Sequence, residues 1–220
     1  MTGSVEMQDL SETELRAAIV RQGALLYERR LAHGTAGNLS VRLKDGAILV
    51  TPTNSSLGFL DPQRISKVSP EGDLLSGDPP SKEAFFHRAV YAARPTARAI
   101  VHLHSTHSVA ISCLCHADPS NVMPPLTAYH VMKVGRLPLV GYFRPGDRRL
   151  AAAVGDAARD HHAMLLANHG PIIAGRSLEE AVQIMEELEE TAKLYFLIGD
   201  RPASPLSCEA VEELAAAFPS

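Results

Sequence analysis

Apolar residues recur at helical spacing through Leu15, Ala18, Ile19, Leu25 and Leu26, with polar residues filling the positions between them. That period predicts an amphipathic helix over Glu12 to Arg30. Ser11 and Glu14 stand at the S-x-x-E spacing of a capping box, and His33-Gly34 offers a stop, because glycine takes the left-handed conformation that ends helices. Gly37 to Arg42 and Ala47 to Thr51 then read as strands joined by a turn at Lys44-Asp-Gly46, a hairpin. A hydroxyl-rich loop, Thr51 to Gly58, and a turn or short helix opening at Asp61-Pro62 lead to Lys67-Val68 and Asp73-Leu-Leu75, a second hairpin.

Ser81 is placed to cap a helix from Lys82 to about Ala93, which Arg94-Pro95 ends. A strand carrying His102 follows, then a helix from Thr106 through Leu114 and a loop from Asp118 to Pro125. Tyr129 to Val134 and Leu137 to Val140 are too short for periodicity to assign. Asp147 to Ala158 reads as helix, while Ala163 to Ala167 and Ile172 to Ala174 read as strands. Ser177-Leu-Glu-Glu180 is a second capping box, opening a long helix from Leu178 to Ile198, and a short helix spans Cys208 to Ala217. Helices mixed with strands on short turns predict an α/β fold. The expected form is a three-layer α/β/α arrangement around a central mostly antiparallel sheet, in a single domain spanning 1–220.

Composition narrows the partners. The chain is 45% hydrophobic and 21% charged, with a formal net charge of −4 and no run of lysine or arginine. That argues against nucleic acid or an anionic membrane surface. No apolar run is long enough to span a bilayer, and Met1 to Gln8 lacks the basic and apolar regions of a secretory signal. Three cysteines, Cys113, Cys115 and Cys208, make no disulfide framework. The expectation is a reduced, soluble, cytoplasmic protein.

The chemistry gathers at Ala99-Ile-Val-His-Leu-His-Ser-Thr-His107. Residues two apart on a strand share a face, so His102 and His104 project together while Val101 and Leu103 turn into packing. Paired imidazoles on a rigid strand make half of a site for zinc or a similar ion. A third ligand is best sought at His169, where the following glycine permits close backbone approach, although a plain loop histidine fits the spacing as well. Glu83 is a further candidate in the first turn of its helix, where the dipole favours a carboxylate whether or not it has a function. Ser81 and Lys82 at the same helix start could receive a phosphate, and Gly37-Asn38 with Thr53-Asn54-Ser55-Ser56 has the makings of an anion nest. His107 is expected to face the opening of the next helix in a structural role, and Cys113 and Cys115 to lie on a core helix.

Other metal folds fit less well. His102-x-His104-x-x-His107 has metallo-β-lactamase spacing, but Thr106 stands at the aspartate position. Amidohydrolase barrels carry their His-x-His near the start of a longer chain, and cupins are all-β.

Taken together, Gly37-Asn38-Leu-Ser40, Thr51-Pro-Thr53, Ser81-Lys-Glu83, His102-Leu-His104-Ser105 and Asn168-His169-Gly170 resemble, in order and spacing, the class II aldolases of the fuculose-phosphate and ribulose-phosphate epimerase type. The likeness runs from about Leu15 to Ile198. It implies an α/β/α fold and a divalent metal, usually zinc, with manganese or cobalt as alternatives. His102, His104 and His169 would hold that metal, with Glu83 as acid/base and possible fourth ligand. It also implies a phosphate pocket from Asn38, Thr53, Asn54, Ser81 and Lys82, and a homotetramer with the site near a subunit interface. Further segments, including Pro124-Pro-Leu-Thr-Ala-Tyr129 and Gly141-Tyr-Phe-Arg-Pro-Gly-Asp147, resemble the 3-oxo-tetronate 4-phosphate decarboxylases. Asn54 departs from the family's usual glycine, and Lys82 replaces the second serine of the aldolase pattern. Tyr129 falls near a tyrosine that aldolases use as proton donor.

The resemblance implies a carbon–carbon lyase. A 3-oxo-tetronate 4-phosphate would lose CO2 through a metal-stabilised enediolate, and Glu83 or Tyr129 would protonate it to dihydroxyacetone phosphate. A sugar-phosphate aldolase reaches the same enediolate by releasing an aldehyde, so that reading stands as the alternative. A family member without catalysis, serving as a binding module, would be expected to lose the three histidines, and all three are present.

Overall fold

The structure is a computed structural model that describes residues 10–218, so the expectation for Met1 to Gln8 lies outside the described residues. Among those residues an eight-stranded sheet runs in the order β4-β3-β2-β1-β5-β8-β7-β6. Its strands are β1 (Asn38–Arg42), β2 (Ile48–Val50), β3 (Ser66–Val68), β4 (Leu74–Ser76), β5 (Ala99–His102), β6 (Leu139–Val140), β7 (Ala163–Leu166) and β8 (Gly170–Gly175). Every neighbouring pair is antiparallel except β6 with β7.

Alternation along the strands sends side chains into two cores. Leu39, Val41, Val101, Leu165 and Ile173 point to one face, where α1 (Glu12–Glu28) and α6 (Leu178–Ile198) cover them with Ile19, Leu26, Met185 and Leu188. Ile48, Ile100, Met164 and Ile172 point to the other, under Phe86 and Val90 of α2 (Ala84–Ala93) and Val154 of α5 (Arg149–Asp160). Helices therefore lie on both faces, as the α/β/α expectation required. No helix among the described residues is long and apolar enough to cross a membrane.

Several boundaries differ from the expectations, each for a local reason. The Ser11–Glu14 capping box forms in both directions, but α1 ends at Glu28 and the left-handed residue that closes it is Arg30 (φ 62°), ahead of Gly34. Arg30 N–H donates to Tyr27 O and Leu31 N–H to Leu26 O, the paired bonds of a Schellman motif. Ser81 does not open α2. Its N–H donates to Thr51 O and Pro52 bridges Pro80, so residues 79–81 remain extended and Glu83 becomes the N-cap.

α3 (Thr106–Ser112) stops before Cys113, which leaves Cys113 and Cys115 exposed rather than in the core. The unassigned Tyr129 segment forms α4 (Ala128–Lys133), capped by Thr127 Oγ1, and Leu137 to Val140 supplies β6. At Ser177 only half the second capping box is made, because the Glu180 carboxylate turns to Arg176. The last helix, α7 (Cys208–Ala217), runs as expected, with no buried residue.

Candidate metal centre

β5 lies between β1 and β8, with Asn38 and Ile172 as the register partners of His102. His102 is fully buried. Its Nδ1–H donates to Pro171 O at 2.8 Å, which leaves Nε2 as the lone-pair nitrogen facing the site. Two residues past the strand end, His104 brings its Nε2 to 3.2 Å from His102 Nε2, while Val101 and Leu103 pack in the α1/α6 core.

His169 arrives from the β7–β8 turn. Asn168 adopts a left-handed backbone (φ 57°), a conformation asparagine tolerates better than most residues. Gly170 then passes so close to the β5 extension that a Cβ there would meet Leu103 O at 2.3 Å. The backbone of this turn is tied to α3, since Asn168 N–H donates to Ser112 O and His169 N–H to Ser112 Oγ.

Glu83 closes the ring. Its Oε1 lies 3.1 Å from His169 Nε2 and its Oε2 3.4 Å from His102 Nε2, while the Asn38 amide donates to Oε2 at 2.7 Å. The ligand atoms of Glu83, His102, His104 and His169 all lie within 4.8 Å of one another, so four residues from three distant stretches could hold one cation. The three imidazoles meet edge to face with centroids 4.7–5.1 Å apart.

The electrostatics suit a cation. Burial pushes His102 down to about 3, and burial with the neighbouring His169 lowers His104, so both rings are neutral ligands at physiological pH. Burial alone would raise the Glu83 carboxyl, but the imidazoles and the Asn38 amide outweigh it and hold the group well below the usual carboxylate range.

Backbone pairing ties the 51–54 segment to the stretch that leads into Glu83. Thr53 N–H donates to Pro79 O, and Ser81 Oγ accepts from Glu83 N–H, which joins the 51–54 and 79–83 segments. Lys82 and Asn54 are exposed at that edge, and Asn54 takes a left-handed backbone (φ 56°) where the resemblance has glycine. Asn38 is buried with its amide committed to Glu83, and its Oδ1 has no hydrogen-bond partner. Tyr129 is 62% exposed on α4, with no hydrogen bond or ring contact to the cluster among the described residues.

Two arrangements escaped the sequence. Glu189 of α6 caps α3 from outside, accepting from the backbone N–H groups of His107 and Ser108 at 2.8 and 2.9 Å and from the Ser108 hydroxyl and His107 Nδ1. His107 is thus structural, as expected, but its anchor lies 82 residues away. Behind the cluster, Ser40 Oγ is 2.7 Å from His87 Nδ1 and 2.9 Å from the Tyr91 hydroxyl in a buried chain. The i, i+4 spacing of Glu83, His87 and Tyr91 was the signal available for it.

Residues 17–196 match the family described as the class II aldolase and adducin N-terminal domain. The chain belongs to that family. It is 53% identical over 210 residues to the 3-oxo-tetronate 4-phosphate decarboxylase of Escherichia coli (strain K12), covering 94% of this chain and 99% of the relative. The L-fuculose phosphate aldolase of Haemophilus influenzae is 34% identical over 190 residues, 84% of each chain. Among solved structures, YgbL from Klebsiella pneumoniae superposes with a TM-score of 0.91 at 51% identity, covering 93% of this chain and 99% of that one. An L-fuculose 1-phosphate aldolase superposes at 0.85 with 27% identity, covering 96% and 99%. These class II aldolase-fold structures share this chain's layered sheet.

Proposed function

We propose that this protein is a metal-dependent lyase that converts a 3-oxo-tetronate 4-phosphate to dihydroxyacetone phosphate and CO2. The observation that carries this reading is the convergence of Glu83, His102, His104 and His169 in a chain about half identical to relatives named for that decarboxylation. The whole chain is taken as one class II aldolase-like unit.

The three imidazoles would hold the cation, with Glu83 as fourth ligand or as acid/base. Zn2+ is the proposed ion, with Mn2+ or Co2+ as substitutes, because imidazole and carboxylate donors suit all three. When bound, such an ion supplies a Lewis acid for negative charge developing on substrate oxygen.

The protein's own groups do the rest. Thr53, Asn54, Ser81 and Lys82 bind the phosphate at the edge of the ring, and Asn38 holds Glu83 in place beside its own phosphate-binding role. The C1–C2 bond of the substrate breaks, its electron pair moves toward the C3 carbonyl, and C2 takes a proton. Glu83, ionised at rest, takes up a proton from solvent and passes it to C2; Tyr129 is the second candidate donor. A homotetramer in the cytoplasm completes the proposal, with Tyr195, Phe196 and Leu197, exposed on α6, as surface suited to self-association.

The test is to incubate the purified, metal-loaded protein with a 3-oxo-tetronate 4-phosphate and follow CO2 and dihydroxyacetone phosphate. Both products are expected. The likeness to L-fuculose phosphate aldolase supports one other reading, cleavage of a ketose phosphate to dihydroxyacetone phosphate and an aldehyde. Condensation of dihydroxyacetone phosphate with an aldehyde, in the absence of CO2 release from the acid, would establish that reading instead.

A further inference from the structure

A cavity lies at the far end of the strands that carry the metal cluster. β5 runs from Ala99 to His102 and β8 from Gly170 to Gly175, paired Ala99 with Gly175 and His102 with Ile172. The His/Glu ring occupies one end of this pair. The other end, about 10 Å away along the strands, opens into a space of about 590 Å³ between the end of α2, the end of α4 and the first turns of α6.

Its walls are two-sided in character. Ala97, Met132, Ala174 and Ile184 are apolar, whereas Arg94, Lys133 and Arg176 bring three cationic side chains to the same space. Only Arg176 is neutralised locally, by Glu180, which accepts from its guanidinium at 2.9 and 2.5 Å. Among the described residues no carboxylate pairs with Arg94 or Lys133, and both are half-buried rather than extended into water. Two uncompensated cations over an apolar floor are a local positive surplus in a chain whose net charge is −4.

We propose that this cavity is a binding site for a small organic anion with an apolar body, its acidic group held by Arg94 and Lys133. The volume falls within the range of about 300–1,000 Å³ usual for small-molecule sites. Guanidinium and ammonium donors at the rim give charge-assisted hydrogen bonds to carboxylate, sulfonate or phosphate, and the floor takes the body of the ligand. His162, between the rim and the floor, donates from Nε2 to Lys133 O at 2.8 Å and so fixes the backbone from which Lys133 projects. Burial, with the nearby Arg94 charge, pushes its imidazole down, so His162 brings no competing charge of its own. None of these residues belongs to the His/Glu ring.

The test uses 8-anilinonaphthalene-1-sulfonate, a planar apolar anion, titrated by fluorescence against the intact protein and against Arg94→Glu/Lys133→Glu. Saturable binding at one site per chain is expected, weakened by about tenfold or more in the variant and by added salt. Arg94→Gln/Lys133→Gln, with its melting temperature compared to the parent, serves if charge reversal prevents folding, and it should weaken binding in the same direction. Equal binding by parent and folded variant would place the probe elsewhere and overturn the proposal, as would the absence of saturable binding. Neither outcome bears on the lyase assay, because the readout is probe binding.

Discussion

The Asn38 side-chain amide donates to Glu83 Oε2 at 2.7 Å, and Asn38 is the register partner of His102 on the adjoining strand. One residue thus braces both the carboxylate and the strand carrying the ligands. Groups that orient metal ligands are typically worth about 10–100-fold in metal affinity or activity. Asn38→Ala is expected to lower turnover by that amount, and Asn38→Asp further, since a second carboxylate would face Glu83. Turnover with metal content measured on the same samples checks both.

Removing the carboxylate itself isolates its part in proton transfer. General acid–base assistance contributes about 10²–10⁴ in rate, so Glu83→Gln should lose that much while its circular dichroism stays that of the parent. His102→Ala should lose bound metal and activity together. Metal analysis after dialysis, beside the CO2 assay, separates the two variants; full turnover by Glu83→Gln would reduce Glu83 to a helix-start residue.

Gly170 offers a test that touches no ligand. A methyl group there would meet Leu103 O at 2.3 Å, so the turn must move away from the β5 extension. Gly170→Ala should cost about 1–3 kcal/mol by overpacking and displace His169, seen as reduced metal retention in a folded protein. Unchanged metal binding would mean that the turn has room the geometry denies.

Asn54 keeps the backbone that glycine would take. Asn54→Gly should therefore preserve stability and activity, whereas Asn54→Val, forced to φ 56°, should cost about 1–2 kcal/mol and raise KM for the phosphorylated substrate. Equal KM values for the two variants would uncouple the 51–54 loop from phosphate.

His130 makes a prediction about pH. It is buried with neither ring nitrogen hydrogen-bonded, and burial pushes it down to about 4. The unfolded chain, titrating near 6.5, binds the proton more tightly, so this residue's stability is complete above about pH 6.5 and is lost as pH falls toward 4, about 3 kcal/mol in all. Chemical denaturation of His130→Leu at pH 7 and pH 4.5 should show a smaller acid loss than the parent. Parallel pH dependence would show that the imidazole finds a partner in solution.

How much of the fold is legible in the sequence tracks how local each interaction is. The Ser11 capping box and the β1–β2 hairpin were legible because their partners lie within a few residues. The His102–His104 pair was legible because strand geometry alone sets it. By contrast, β1 and β8 flank β5 through pairings 58 or more residues apart, which no short window carries. Ser81 satisfied every local rule for a helix cap, yet pairing with Thr51 kept it extended, a tertiary contact overriding a local preference. Glu189 could not be recognised as the cap of α3, since its partners are set by how α6 crosses the sheet. The exposed cysteines followed from α3 ending two residues early.

Asn38, Glu83, His102 and His169 become neighbours only when β1, β5 and β8 lie in their native register. A slip of β1 by one residue would set Gly37 or Leu39 opposite His102 and dissolve the brace. An unfolded chain has nowhere to grip the ion, so assembling the sheet and capturing the cation are a single equilibrium. Excess ion should then raise the denaturation midpoint logarithmically with its free concentration, and a chelator should lower it.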